Sequence, residues 1–119
     1  MTFQPGSDLS DDEVRERVDT AIEDNDVVLF MKGNQLMPQC GYSKRALELI
    51  SGHVDEFETV DTLPALESFR AALSEHSGWE TIPQTYVDGE FVGGSDILAE
   101  LDERGELGDA LAGADETPA

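Results

Sequence analysis

Val27-Val28-Leu29-Phe30-Met31, followed by Lys32-Gly33-Asn34-Gln35-Leu36-Met37-Pro38-Gln39 and then Cys40-Gly41-Tyr42-Ser43, sets the architecture of this chain. The first run is unbroken, apolar and rich in β-branched residues, as a buried strand requires. Gly33 and Pro38 turn Lys32–Gln39 into a loop. From about Cys40 or Gly41 the period changes. Ala46, Leu47 and Ile50 recur at helical spacing, and Gly52 stops the run. Strand, loop and helix in that order put Cys40 at a helix N-terminus.

On the N-terminal side, Ser10-Asp11-Asp12-Glu13 reads as a capping box. Val14, Val18, Ala21 and Ile22 then mark a first helix to about Asp24. On the other side, Phe57–Val60 reads as a second short strand. Thr62 and Pro64 open a third helix with Leu66, Phe69 and Leu73 on one face. Pro83–Val87 and Glu90–Val92 flank Asp88-Gly89, the preferred pair for a two-residue hairpin turn, which sets Tyr86 opposite Phe91. Gly93-Gly94 ends the hairpin, and a last helix runs from about Ser95 to Arg104. The order is αβαβαββα. A strand–helix–strand unit gives parallel strands and the hairpin adds antiparallel ones. The expectation is an α/β fold: a small mixed four-stranded sheet with helices on both faces, in one domain over 10–113. Flexible tails are expected over 1–9 and 114–119.

The chain has 119 residues, 27 acidic against seven basic, with a formal net charge of −20. Self-repulsion of that size loosens a compact state in dilute buffer. At molar salt the Debye length falls to about 3 Å and the repulsion largely disappears. With the excess taken as spread along the chain, it reads as a halophilic adaptation to a salt-rich cytoplasm. Nucleic-acid binding is disfavoured for want of a basic stripe. The longest apolar run, Val27–Met31, is too short to span a membrane. No cationic start with an apolar stretch is visible at the N-terminus, so a cytoplasmic protein is expected.

Cys40 is the only cysteine. At a helix N-terminus, unpaired N–H groups and the helix dipole favour its thiolate, which is both nucleophile and metal ligand. Ser43 stands where a CxxC motif would carry a second thiol. A mixed disulfide at Cys40 therefore needs an external thiol to resolve it. Ser43 itself is expected to be chemically dispensable. His53 and His76 lie far apart and read as surface residues without zinc spacing. Trp79 is expected to pack beneath the Ile82-Pro83 turn.

Lys32-Gly33, Pro38-Gln39-Cys40-Gly41-Tyr42-Ser43, Thr81-Ile82-Pro83-Gln84 and Gly93-Gly94-Ser95-Asp96, in this order, resemble the signature of the CGFS-type monothiol glutaredoxins. The resemblance covers roughly Asp12–Leu101, and implies a thioredoxin-like three-layer sandwich. Three departures stand out. Tyr42 replaces the usual Phe, Ser95 a common second Cys, and Trp79-Glu80 the usual Trp-Pro.

The resemblance implies a glutathione site. Lys32 and Arg70 would hold the glycine carboxylate, and Tyr42 is assigned to the same site. A cis Ile82–Pro83 bond would present the Ile82 backbone to the ligand's cysteine. The N–H groups of Ser95 and Asp96 would receive the γ-glutamyl carboxylate, with the Asp96 side chain near the ligand's amino group. The resemblance further implies a 2Fe–2S cluster bridging a homodimer, with Cys40 as the protein's metal ligand and two bound thiols completing four sulfurs. Apo iron–sulfur recipient proteins and a BolA-like protein are the implied partners. The alternative is a thiol-dependent oxidoreductase that reduces glutathione mixed disulfides at Cys40. Glutathione is the ligand the resemblance implies; for a salt-adapted organism the alternative is γ-glutamylcysteine, which lacks the glycine carboxylate.

Overall fold

In a computed structural model, residues 10–112 are described, so the expected tails over 1–9 and 114–119 lie outside them. The elements follow the order α1 (Asp11–Asp24), β1 (Val27–Met31), α2 (Gly41–Ser51), β2 (Glu58–Asp61), α3 (Leu66–Ser77), β3 (Gln84–Val87), β4 (Glu90–Gly93), α4 (Ser95–Glu103) and α5 (Leu107–Ala112). A 3-10 turn over Leu63–Ala65 precedes α3.

The sheet order is β2-β1-β3-β4. β1 pairs parallel with β2 and antiparallel with β3, and β3 pairs antiparallel with β4. β1 is central and all five of its residues are buried. Side chains alternate across a strand, so β1 feeds two cores. Val28 and Phe30 join Val14 and Val18 of α1, Phe69 and Leu73 of α3, and Tyr86. Val27, Leu29 and Met31 join Ala46 and Ile50 of α2, Leu98 of α4, and Leu107 and Leu111 of α5. Helices thus cover both faces of a mixed four-stranded sheet, giving the thioredoxin-like three-layer sandwich.

Local signals are obeyed where backbone chemistry is strongest. The Ser10 hydroxyl accepts from the Glu13 N–H at 3.1 Å and the Glu13 carboxylate accepts from the Ser10 N–H at 3.0 Å. Asp88 and Gly89 both take positive φ, as the hairpin turn demands. Tyr86 pairs with Phe91, their ring centroids 5.4 Å apart.

Two expectations need correction, and two further placements add partners the sequence did not name. α5 is a fifth helix where the spacing argument placed none. Its signal is the Leu107 and Leu111 pair at helical spacing, both buried. Trp79 does not pack beneath the Ile82-Pro83 turn; its side chain is 60% exposed. It faces a groove rather than filling the core. The two histidines do lie towards the surface, but each has an acidic partner from a distant element. His53 meets Asp102 at 3.1 Å, and His76 meets Asp19 at 2.7 Å. Ser43 is fully buried, on the same stripe of α2 as Ala46, Leu47 and Ile50.

Candidate functional site

β1 ends at Met31, and the chain leaves it through a closed loop before entering α2. Gly33 and Pro38 form an isolated antiparallel bridge, and the Gln39 N–H donates to the Lys32 carbonyl at 2.9 Å. The Asn34 side-chain oxygen accepts from the N–H groups of Leu36 and Met37, both at 2.9 Å. Asp61, at the end of β2, accepts from the Gly33 N–H at 3.0 Å. Gly33 has φ +91, and a Cβ there would lie 2.5 Å from the Met37 carbonyl oxygen, so only glycine closes this loop. The result is a fixed bracket whose exit delivers Cys40.

Cys40 is the N-cap of α2, in extended conformation and partly exposed. Partial burial pushes its thiol up. The N–H groups of Ser43 and Tyr42, the Ser43 hydroxyl and the Lys32 charge outweigh that effect, and the thiol lies below the ordinary cysteine value. The Ser43 hydroxyl also accepts from the Lys32 backbone N–H at 3.0 Å. Sequence reasoning missed this. The signal was a serine at an inward-facing helix position, where a polar group needs a partner.

Beside this first turn of α2 lies an open groove of about 750 Å³. That is within the usual range for small-molecule sites, about 300–1,000 Å³. Lys32, Tyr42, Arg70, Ile82, Pro83, Ser95 and Asp96 all line it, together with Trp79, Thr81, Phe91 and Ile97. Every residue assigned from the resemblance therefore borders one cavity, Cys40 excepted. Cys40 belongs to the turn that carries Tyr42 to the rim.

The lining carries two kinds of electrostatic feature. Lys32 makes no ion pair among the described residues, whereas Arg70 is already paired with Glu67 at 2.7 Å. The lining also includes the start of α4. Its N-cap is Gly94, no side chain caps it, and Ser95 is buried at its first turn. The helix start therefore offers backbone N–H groups to an anion. Two glycines let the strand approach the helix so closely. A Cβ on Gly93 would meet the Ile97 side chain at 2.6 Å, and one on Gly94 would meet the Pro83 carbonyl at 3.0 Å.

The segment Trp79–Pro83 supplies another part of the lining, with a cis Ile82–Pro83 bond. Gln84 holds it. This side chain is 1% exposed, and its amide donates to the carbonyls of Trp79 at 2.7 Å and Thr81 at 2.9 Å. Its oxygen accepts from the Tyr86 hydroxyl at 2.7 Å. Nothing in the sequence points to this role of Gln84, because its partners are carbonyls that no residue pattern marks.

Among the described residues no group of three or more His, Cys, Asp or Glu side chains is placed to hold a metal ion. Nor is any helix there long and apolar enough to cross a membrane. The site is a lone activated thiol next to an open groove lined by Lys32, Arg70 and the start of α4.

Known proteins are similar to this chain in sequence and fold. The family model for glutaredoxin matches residues 27–92. An uncharacterized monothiol glutaredoxin of Synechocystis is 48% identical over 99 residues, covering 83% of this chain and 92% of that protein. Glutaredoxin 4 of Escherichia coli is 40% identical over 92 residues, covering 77% of this chain and 79% of that protein. The solution structure of reduced poplar apo GrxS14 superposes with a TM-score of 0.74 at 38% identity, covering 87% of this chain and 94% of that one. Its single thiol, its fold and these relatives agree, and the chain belongs to the glutaredoxin family, in the monothiol group.

Proposed function

We propose that this glutaredoxin binds and passes on a 2Fe–2S cluster as cargo, held by Cys40 and a low-molecular-weight thiol seated in the groove. The observation that carries this reading is a single activated thiol, with a buried serine where a resolving cysteine would stand, beside a groove whose lining holds Lys32 and the uncapped start of α4. Donor count supports it. One thiolate per chain cannot complete a four-sulfur shell, and no other cluster of ligating side chains lies among the described residues. Two copies, each with one bound thiol, supply four sulfurs. A homodimer bridged by the cluster is therefore part of the proposal. Two of the four ligands are dissociable, which suits a carrier that hands its cargo to recipient proteins.

In this reading Lys32 and Arg70 take a terminal carboxylate, the Ile82 backbone pairs with the ligand's cysteine, and the first turn of α4 receives the γ-glutamyl carboxylate. Tyr42 covers the ligand from the rim, and the Asp96 side chain meets its amino group. Glutathione supplies all these groups, and γ-glutamylcysteine all but the terminal carboxylate.

Anaerobic reconstitution with iron, sulfide and each thiol tests the proposal. A coloured dimer is expected, and a colourless monomer for Cys40→Ser. A colourless monomer from the unaltered chain, with turnover of glutathione mixed disulfides, would favour the oxidoreductase reading instead.

A further inference from the structure

Asp61 is the last residue of β2 and does not line the groove. Its carboxylate oxygen Oδ1 accepts two backbone N–H groups, from Gly33 at 3.0 Å and from Leu63 at 2.9 Å. The Leu63 bond is local, an Asx-type turn that fixes where the oxygen points. The Gly33 bond spans 28 positions of sequence and reaches the loop between β1 and α2. The next residue, Thr62, is fully buried and gives both its N–H and its hydroxyl to the Met31 carbonyl, each at 2.9 Å. The ends of β1 and β2 are therefore joined firmly where Asp61 stands.

The peptide around Lys32 is tied at three points. Its N–H donates to the Ser43 hydroxyl, its carbonyl accepts from the Gln39 N–H, and the Gly33 N–H goes to Asp61. Gln39 and Ser43 flank Cys40, so their two bonds belong to the segment that carries the thiol. Asp61 is the tie from outside that segment. Its oxygen is engaged by N–H groups, and Lys32 forms no ion pair among the described residues. The lysine charge is thus left to the groove that it lines.

We propose that Asp61 is a positioning residue: through the Gly33 N–H it fixes the Lys32–Gln39 bracket, and thereby where the Lys32 charge and the Cys40 sulfur stand beside the groove. What this role needs is an oxygen in one place, not a charge. The two are separable, because they move Cys40 in opposite directions. Losing a nearby anion lowers a thiol's titration midpoint. Losing the hold on Lys32 raises it, since the Lys32 charge favours the thiolate. The inference rests on the proposed function for the ligand alone; the thiol can be read without ligand or cluster.

Two substitutions in the full, cluster-free chain provide the test. Asp61→Asn keeps an oxygen in place and drops the charge, whereas Asp61→Glu keeps the charge and displaces the oxygen by a methylene. The readouts are the pH midpoint of Cys40 alkylation and calorimetric titration with glutathione. Val60→Ala serves as the control, since it thins the core under β2 and leaves the Asp61 bonds in place. Asp61→Asn should stay close to the unaltered chain in both readouts. Asp61→Glu should shift the midpoint upward and weaken glutathione several-fold. Val60→Ala should lower the melting temperature and leave the midpoint where it is. A downward shift in Asp61→Asn with Asp61→Glu unmoved overturns the proposal in favour of a charge effect. An unmoved midpoint in both Asp61 variants overturns it as well, and makes the bond to Gly33 a matter of stability alone. Failure of the unaltered chain to bind glutathione would remove the proposed ligand, and the alkylation midpoints would still decide the role of Asp61.

Discussion

The Ser43 hydroxyl and the Lys32 backbone N–H meet at 3.0 Å, tying the first turn of α2 to the end of β1. The same hydroxyl supports the Cys40 thiolate. A serine in the place of a resolving cysteine is thus a structural joint between the groove's lysine and the reactive sulfur.

Ser43→Ala, which thiol chemistry expects to leave cluster binding and deglutathionylation nearly intact, should nonetheless cost stability. It strands the Lys32 N–H, at a cost of about 1–2 kcal/mol, the lower part of the range for an unpaired buried donor. Urea unfolding would measure it. A loss below the resolution of that measurement would mean that water replaces the hydroxyl.

The reactivity of Cys40 should titrate below that of an ordinary cysteine thiol. Because the folded thiol is depressed, the native state binds fewer protons than the unfolded one between the two values. This contribution to stability is present above the unfolded value and lost as pH falls through the folded one. The rate of alkylation by iodoacetamide against pH reads the folded midpoint. Lys32→Ala and Ser43→Ala should each move it upward. An unmoved midpoint in both variants would assign the shift to the backbone N–H groups alone.

Gln84→Leu should destabilise the fold by about 2–3 kcal/mol, since it leaves the Trp79 and Thr81 carbonyls and the Tyr86 hydroxyl without their shared partner. Calorimetry with glutathione should show weaker binding as well, because the groove wall loses its fixed shape. Full binding with reduced stability would make Gln84 a core residue only.

Arg70 meets the groove with its charge already engaged by Glu67. Lys32→Ala should accordingly weaken glutathione more than Arg70→Ala does. Glu67→Gln should tighten glutathione several-fold at low salt by freeing Arg70, with little effect on γ-glutamylcysteine. The Glu67 side chain is 83% exposed, and an exposed pair is worth at most about 1 kcal/mol, so a larger change is not expected. Equal affinities for the two thiols in every variant would show that no terminal carboxylate is gripped.

If the net charge of −20 is a salt adaptation, the melting temperature should rise from dilute buffer to molar potassium chloride. A flat response would remove that reading and leave the family assignment intact.

Whatever depends on neighbours along the chain is written in the amino-acid sequence. An unbroken apolar run makes β1 a central strand, the Ser10–Glu13 box starts α1, and Asp88-Gly89 sets the hairpin that pairs Tyr86 with Phe91. Spacing also puts Cys40 at the start of α2, since a helix N-terminus is fixed within one turn. The motif resemblance supplies the groove residues, which periodicity could not bring together. Which distant groups satisfy each other is settled only when the chain is folded. Ser43 finds Lys32, Gln84 finds two carbonyls and a tyrosine hydroxyl, and Arg70 finds Glu67. Backbone carbonyls and N–H groups are the same at every position, so no residue pattern marks which one a buried side chain will reach. Trp79, too, is placed only by the fold: Ile82 joins Phe30, Phe69 and Tyr86 in the core while Trp79 stays exposed on the groove, since a bulky apolar residue is buried only where the packed elements leave room for it.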